Sequence, residues 1–90
     1  MKLFDVLSKL QGEEQFRLFF EDLCTFQEVE KMEQRIECAQ MLLDGETYTQ
    51  IIEQTDISSA TLSRVSRCIQ HGSGGYAKLL KDIVETENLK

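Results

Sequence analysis

Thr47-Tyr48-Thr49-Gln50-Ile51-Ile52-Glu53-Gln54-Thr55-Asp56-Ile57-Ser58-Ser59-Ala60-Thr61-Leu62-Ser63-Arg64-Val65-Ser66-Arg67-Cys68 holds two helix starts and one turn. Thr47 and Gln50 have the spacing of a capping box, in which a hydroxyl and a side-chain amide each satisfy a backbone group at a helix start. The short helix that follows is predicted to bury Tyr48, Ile51 and Ile52 and to stop near Thr55-Asp56. Ser58 then caps a second helix, with Ile57 and Leu62 at the positions of a hydrophobic staple. At ~100° per residue, Leu62, Val65 and Ile69 gather on one side of it. Ala60, Ser63, Arg64 and Arg67 gather on the other, flanked by Ser59 and Thr61. Two short helices joined by three or four residues are the elements of a helix-turn-helix, here residues 47–69.

The outward face of the second helix is small, hydroxyl-bearing and basic, with no Asp or Glu. An ordinary solvated helix face mixes charges; this one does not. Ala60 allows close approach to a groove floor, Ser63 can donate or accept at base edges, and Arg64 or Arg67 can reach guanine or a phosphate. The free N–H groups at Ser59 and Ala60 add a place for a phosphate. The candidate DNA-contacting residues are Thr49, Gln50, Ser58, Ser59, Ala60, Thr61, Ser63, Arg64 and Arg67.

Outside this stretch the chain reads as helix throughout. Leu3, Val6, Leu7 and Leu10 follow the i, i+3, i+4, i+7 stripe, with Gly12 as the interruption, and Phe16, Phe19, Phe20 and Leu23 repeat it. That second stripe is heavy for so small a protomer, so burial against a second copy is expected. Thr25 and Glu28 form another capping box, with Cys24 and Val29 as the staple, and open a helix carrying Val29, Met32, Ile36, Ala39 and Leu43 as its core face. Gly45 closes that helix. After the break His71-Gly72-Ser73-Gly74-Gly75, Tyr76, Leu79, Leu80 and Ile83 mark a last helix over residues 76–89, fraying toward Lys90. There is no proline among the 90 residues and no sustained period-two pattern, which argues against a strand-rich domain.

Net charge is -6, at first sight unfavourable to a nucleic-acid partner. The charge is unevenly spread, however. Acidic side chains outnumber basic ones in residues 1–45, whereas residues 57–81 carry Arg64, Arg67, Lys78 and Lys81 and no acidic side chain. Such a window can present one positive face while phosphates repel the rest. Cys24, Cys38 and Cys68 are odd in number and in no metal-ligand spacing, so they read as small apolar groups in a reducing compartment. Met1–Leu10 lacks the pattern of a signal peptide, and no stretch nears ~18 apolar residues, so a cytoplasmic location without membrane contact is expected. His71 stands alone just past a helix end, and no nucleophile–base pair, phosphate-cradling loop or metal cluster is present; catalysis and a metal are not expected.

Ser58-Ser59-Ala60-Thr61-Leu62-Ser63-Arg64-Val65 resembles the recognition-helix segment of many bacterial repressors, with Asp56 in place of the usual turn glycine, where it can take the left-handed region. Ile52 replaces the usual small residue of the first helix, which implies looser packing there. Together with Leu23-Cys24-Thr25, Gln34-Arg35-Ile36 and Leu42-Leu43-Asp44-Gly45-Glu46, the segment Ala60–Arg64 is similar to the tryptophan repressor superfamily, over roughly Leu23 to Ile83. The resemblance implies an all-α, six-helix fold in one domain, residues 1–90, forming an intertwined homodimer. Residues 1–45 would supply dimerisation and core helices. It implies a sequence-specific DNA-binding transcriptional regulator, a repressor, on a pseudo-palindromic site. A helix-turn-helix that contacts proteins instead is the alternative, favoured by the acidic charge.

Thr25, Arg35 and Arg64 match, by resemblance, the family's effector pocket, in which two arginines sandwich the indole of tryptophan. Val65 stands where the ring needs a glycine, and Cys68 replaces a pocket serine. No cofactor is therefore expected, and Val65 argues against tryptophan as corepressor. Gln50 and Glu53 stand where the tryptophan repressor carries basic residues, so phosphate contacts are fewer and salt dependence shallower.

Overall fold

The computed structural model describes residues 1–88 and forms two compact units, Met1–Met32 and the chain from Glu33 onward. The order is α1 (Leu3–Leu7), α2 (Gly12–Leu23), α3 (Phe26–Leu43), α4 (Tyr48–Gln54), α5 (Ser59–His71), a π-helical turn (Gly75–Leu80) and α6 (Lys81–Asn88). There is no strand among the described residues, and the fold is all-α. The last two residues of the chain, toward which the expected final helix runs, lie outside the described residues.

In the first unit, α1 is shorter than its apolar stripe suggests. The Ser8 hydroxyl donates to the Asp5 carbonyl, and the Lys9 and Leu10 N–H groups bond back to Val6 and Leu7. A hydroxyl competing for backbone carbonyls favours a turn over a further helical turn. Leu10 thus lies beyond the helix, and the break falls at Ser8–Gln11; Gly12, expected as the interruption, is the first residue of α2. The Thr25–Glu28 capping box forms in both directions, at 2.9 and 3.1 Å. Thr25 holds the Glu28 carboxyl below its ordinary range, first through its backbone N–H and then through its side chain. No residue of Met1–Met32 is buried, and Phe4 and Phe26 are 77% and 82% exposed.

The second unit contains the core. Cys38 and Ala39 from α3, Ile51 from α4, Ile57 from the turn, and Leu62 and Val65 from α5 are buried together, with Met41, Leu42, Ile69, Tyr76 and Leu80 against them. Ile36, expected on the core face of α3, is exposed, and Cys38 is inside instead. Burial pushes the Cys38 thiol up, leaving it a protonated, small apolar group. Cys24 and Cys68 are only half-buried, and all three thiols are free.

Gly45 ends α3 with φ +90°, its N–H bonded to Leu42 and the Glu46 N–H to Met41, the paired bonds of a Schellman motif. An L-residue resists that conformation, so this reversal delivers the chain from the core helix to the Thr47 cap. The final helix also differs from expectation. Gly74, at φ +100°, accepts from both Lys78 and Leu79 N–H groups, and the resulting wide turn precedes α6.

Candidate nucleic-acid interface

Two caps fix where the reading elements begin. The Thr47 N–H donates to the Gln50 side-chain carbonyl at 2.8 Å, and the Gln50 N–H donates to the Thr47 hydroxyl at 3.2 Å. The Ser58 hydroxyl accepts the Thr61 N–H at 3.1 Å and donates to the Thr61 hydroxyl at 3.0 Å. The Gln50 and Ser58 side chains, and the half-buried Thr61, are therefore engaged in building the helix starts. A further hydrogen bond, from the Gln54 amide to Glu46 at 2.9 Å, ties the end of α4 to the segment before it.

Between α4 and α5 the turn is Thr55–Ser58, four residues. Asp56 is not left-handed: among the described residues positive φ occurs only at Gly12, Gly45 and Gly74. The turn instead runs through extended Thr55, at φ -134° and ψ 168°. Its hydroxyl donates to the Ile51 carbonyl at 2.8 Å and accepts the Ile57 N–H at 3.3 Å. Sequence reasoning missed this role; a threonine two residues before a buried apolar residue at a helix end was the available signal.

Ile51 alone anchors α4. Tyr48 and Ile52, expected beside it, are 44% and 45% exposed. Both side chains therefore lie outside the buried core. On α5, Leu62 and Val65 are 0% and 1% exposed, Ile69 is half-buried, and Ser66 joins the inner side. Ser66 lies about 40° from Leu62 around the helix, which places it on the covered arc. No buried side-chain nitrogen or oxygen among the described residues lacks a partner.

Ser59, Ala60, Ser63, Arg64 and Arg67 are all exposed on α5, and Thr49 and Gln50 are exposed at the start of α4. Among the described residues, the ion pairs join Arg17 to Glu14 and Glu21, so both guanidinium groups of α5 are left without a carboxylate partner. Such a face can donate hydrogen bonds to phosphates and base edges without first breaking internal bonds. Of the three residues matched to an effector pocket, Thr25 lies in the first unit, its hydroxyl engaged by Glu28. Arg35 is half-buried on α3, whereas Arg64 is exposed on α5. Val65 lies inside the core. No group of three His, Cys, Asp or Glu side chains among the described residues could hold a metal ion, and no helix is long and apolar enough to cross a membrane.

A short helix, a four-residue turn and a second helix with an uncovered basic face define a helix-turn-helix protein. The family described as Trp repressor protein matches residues 1–84. The chain is 42% identical over 86 residues to the uncharacterized protein YerC of Bacillus subtilis (strain 168), across 96% of this chain and 83% of that one. Its fold matches the crystal structure of a candidate Trp repressor from Staphylococcus aureus at a TM-score of 0.81 and 38% identity, over 89% of this chain and 80% of that one. A TrpR-like protein from Eubacterium eligens ATCC 27750 matches with the same score and identity, over 89% and 82%. The chain belongs to the Trp repressor family, a DNA-binding helix-turn-helix family whose members are regulators.

Proposed function

We propose that the protein is a sequence-specific transcriptional regulator, a repressor, that acts in the cytoplasm as a homodimer on a pseudo-palindromic DNA site. The observation that carries this reading is the division of α5: Leu62 and Val65 inside, Ala60, Ser63, Arg64 and Arg67 in water. The helix lies across the groove with its small and hydroxyl-bearing side chains toward the bases and its arginines toward guanine and phosphate. Two-fold symmetry then sets the half-sites about 10 bp apart.

The first unit supports the homodimer. Thirty-two residues without one buried side chain leave Leu3, Phe4, Phe16, Leu18, Leu23 and Phe26 exposed, more apolar surface than a small protein leaves in water. A second copy covers it. Tryptophan plays no part, because the Val65 side chain fills the place its ring would need.

Retention on immobilised nonspecific duplex tests the reading. A chain of net charge -6 is retained at low salt only through a local positive face, and elutes as salt rises. The retained species has twice the 10.4 kDa mass of the chain, and saturating tryptophan leaves the elution unchanged. Flow-through at every salt concentration would leave the protein-contacting alternative, to which the exposed Tyr48 and Ile52 lend themselves.

A further inference from the structure

We propose that Thr55 is a positioning residue for DNA reading: its hydroxyl takes over the task of a turn glycine and sets the angle at which α5 leaves α4. The proposal rests on the DNA-binding reading above. Three bonds meet at this residue. Its N–H and its hydroxyl both donate to the Ile51 carbonyl, at 3.0 and 2.8 Å, and its oxygen accepts the Ile57 N–H at 3.3 Å.

Each end of that bridge is anchored in the core. Ile51 is the buried residue of α4, and Ile57 is buried at the mouth of α5. The hydroxyl thus connects two core residues across the turn, one step before the Ser58 cap from which α5 begins. A side-chain oxygen accepting the N–H two residues on mimics a backbone turn. It does so without positive φ, which explains how Asp56 can occupy a glycine's usual place with ordinary backbone angles. Without the bridge, the Ile57 N–H loses its acceptor, and the turn relaxes toward one that presents α5 at another angle.

Thr55→Val keeps the shape and removes the oxygen; Thr55→Ser keeps the oxygen. Duplex affinity and residue-resolved amide exchange are measured for both variants and the parent chain. The expected result is about tenfold weaker duplex binding by Thr55→Val, at least about tenfold faster exchange at Ile57 alone, and restoration of both by Thr55→Ser. Unchanged exchange at Ile57, or unchanged binding where the parent binds, overturns the proposal. Faster exchange at Leu62 and Val65 as well reveals a general structural role and overturns it too. If the parent binds no duplex, the DNA reading fails, and the Ile57 exchange still decides whether the hydroxyl fixes the turn.

Discussion

An Arg64→Ala, Arg67→Ala double variant binds its specific duplex at least about 100-fold more weakly than the parent chain, with an unaltered fold. Removing an arginine that bonds a base edge costs about 1–3 kcal/mol, and a dimer is deprived of the pair at both half-sites. Where one arginine meets phosphate instead, its removal also makes the salt dependence shallower. The fold does not depend on either side chain. Both are exposed, and neither pairs with a carboxylate among the described residues. Surface substitutions of this kind change stability by no more than about 0.5 kcal/mol, so the thermal midpoint moves by at most about 4 °C. Fluorescence anisotropy with a labelled duplex, beside thermal unfolding, separates the two quantities. Equal affinity in both chains would remove the arginines from the interface.

Leu62→Ala has the larger effect on the fold itself. Leu62 is fully buried in a core built from α3, α4, α5 and the turn, so its truncation leaves a cavity that rigid neighbours close only in part. The cost of such a change is about 2–5 kcal/mol. A domain of this size holds about 5–15 kcal/mol in all, so the variant gives up a large part of its stability. At about 4–8 °C per kcal/mol, the thermal midpoint falls by roughly 10 °C or more. DNA binding falls with it, because the face carrying Arg64 is held by the opposite side of the same helix. Denaturant titration gives the loss directly. A loss below about 1 kcal/mol would mean that Leu62 is not the wedge between α5 and the rest of the core.

What the sequence makes legible is short-range. The Thr25, Thr47 and Ser58 caps are bonds between a hydroxyl and a backbone group three residues on, so their spacing reveals them wherever the chain goes. The division of α5 is equally local, since Leu62 and Val65 against Arg64 and Arg67 is a matter of helical angle. Long-range covering is not legible. Ile51 and Ile52 are adjacent and chemically alike, and only the position of α3 and α5 decides that the first is buried and the second is not. Ile36 continues an apolar seam but meets no cover in the single chain. The turn misled for another reason: Asp56 is tolerant of left-handed backbone, whereas the conformation was decided by the hydroxyl of the residue before it. The π-helical turn at Gly75–Leu80 leaves no trace in apolar spacing, because Tyr76, Leu79 and Leu80 suit an α-helix equally well.

The central claim concerns one helix face, and selection of bound sequences from random duplexes tests it most directly. The parent chain is predicted to enrich two inverted half-sites about 10 bp apart, and Ser63→Ala or Arg64→Ala to relax the preference at particular positions within each half. A parent pool no richer in any motif than the starting library would contradict base reading by α5.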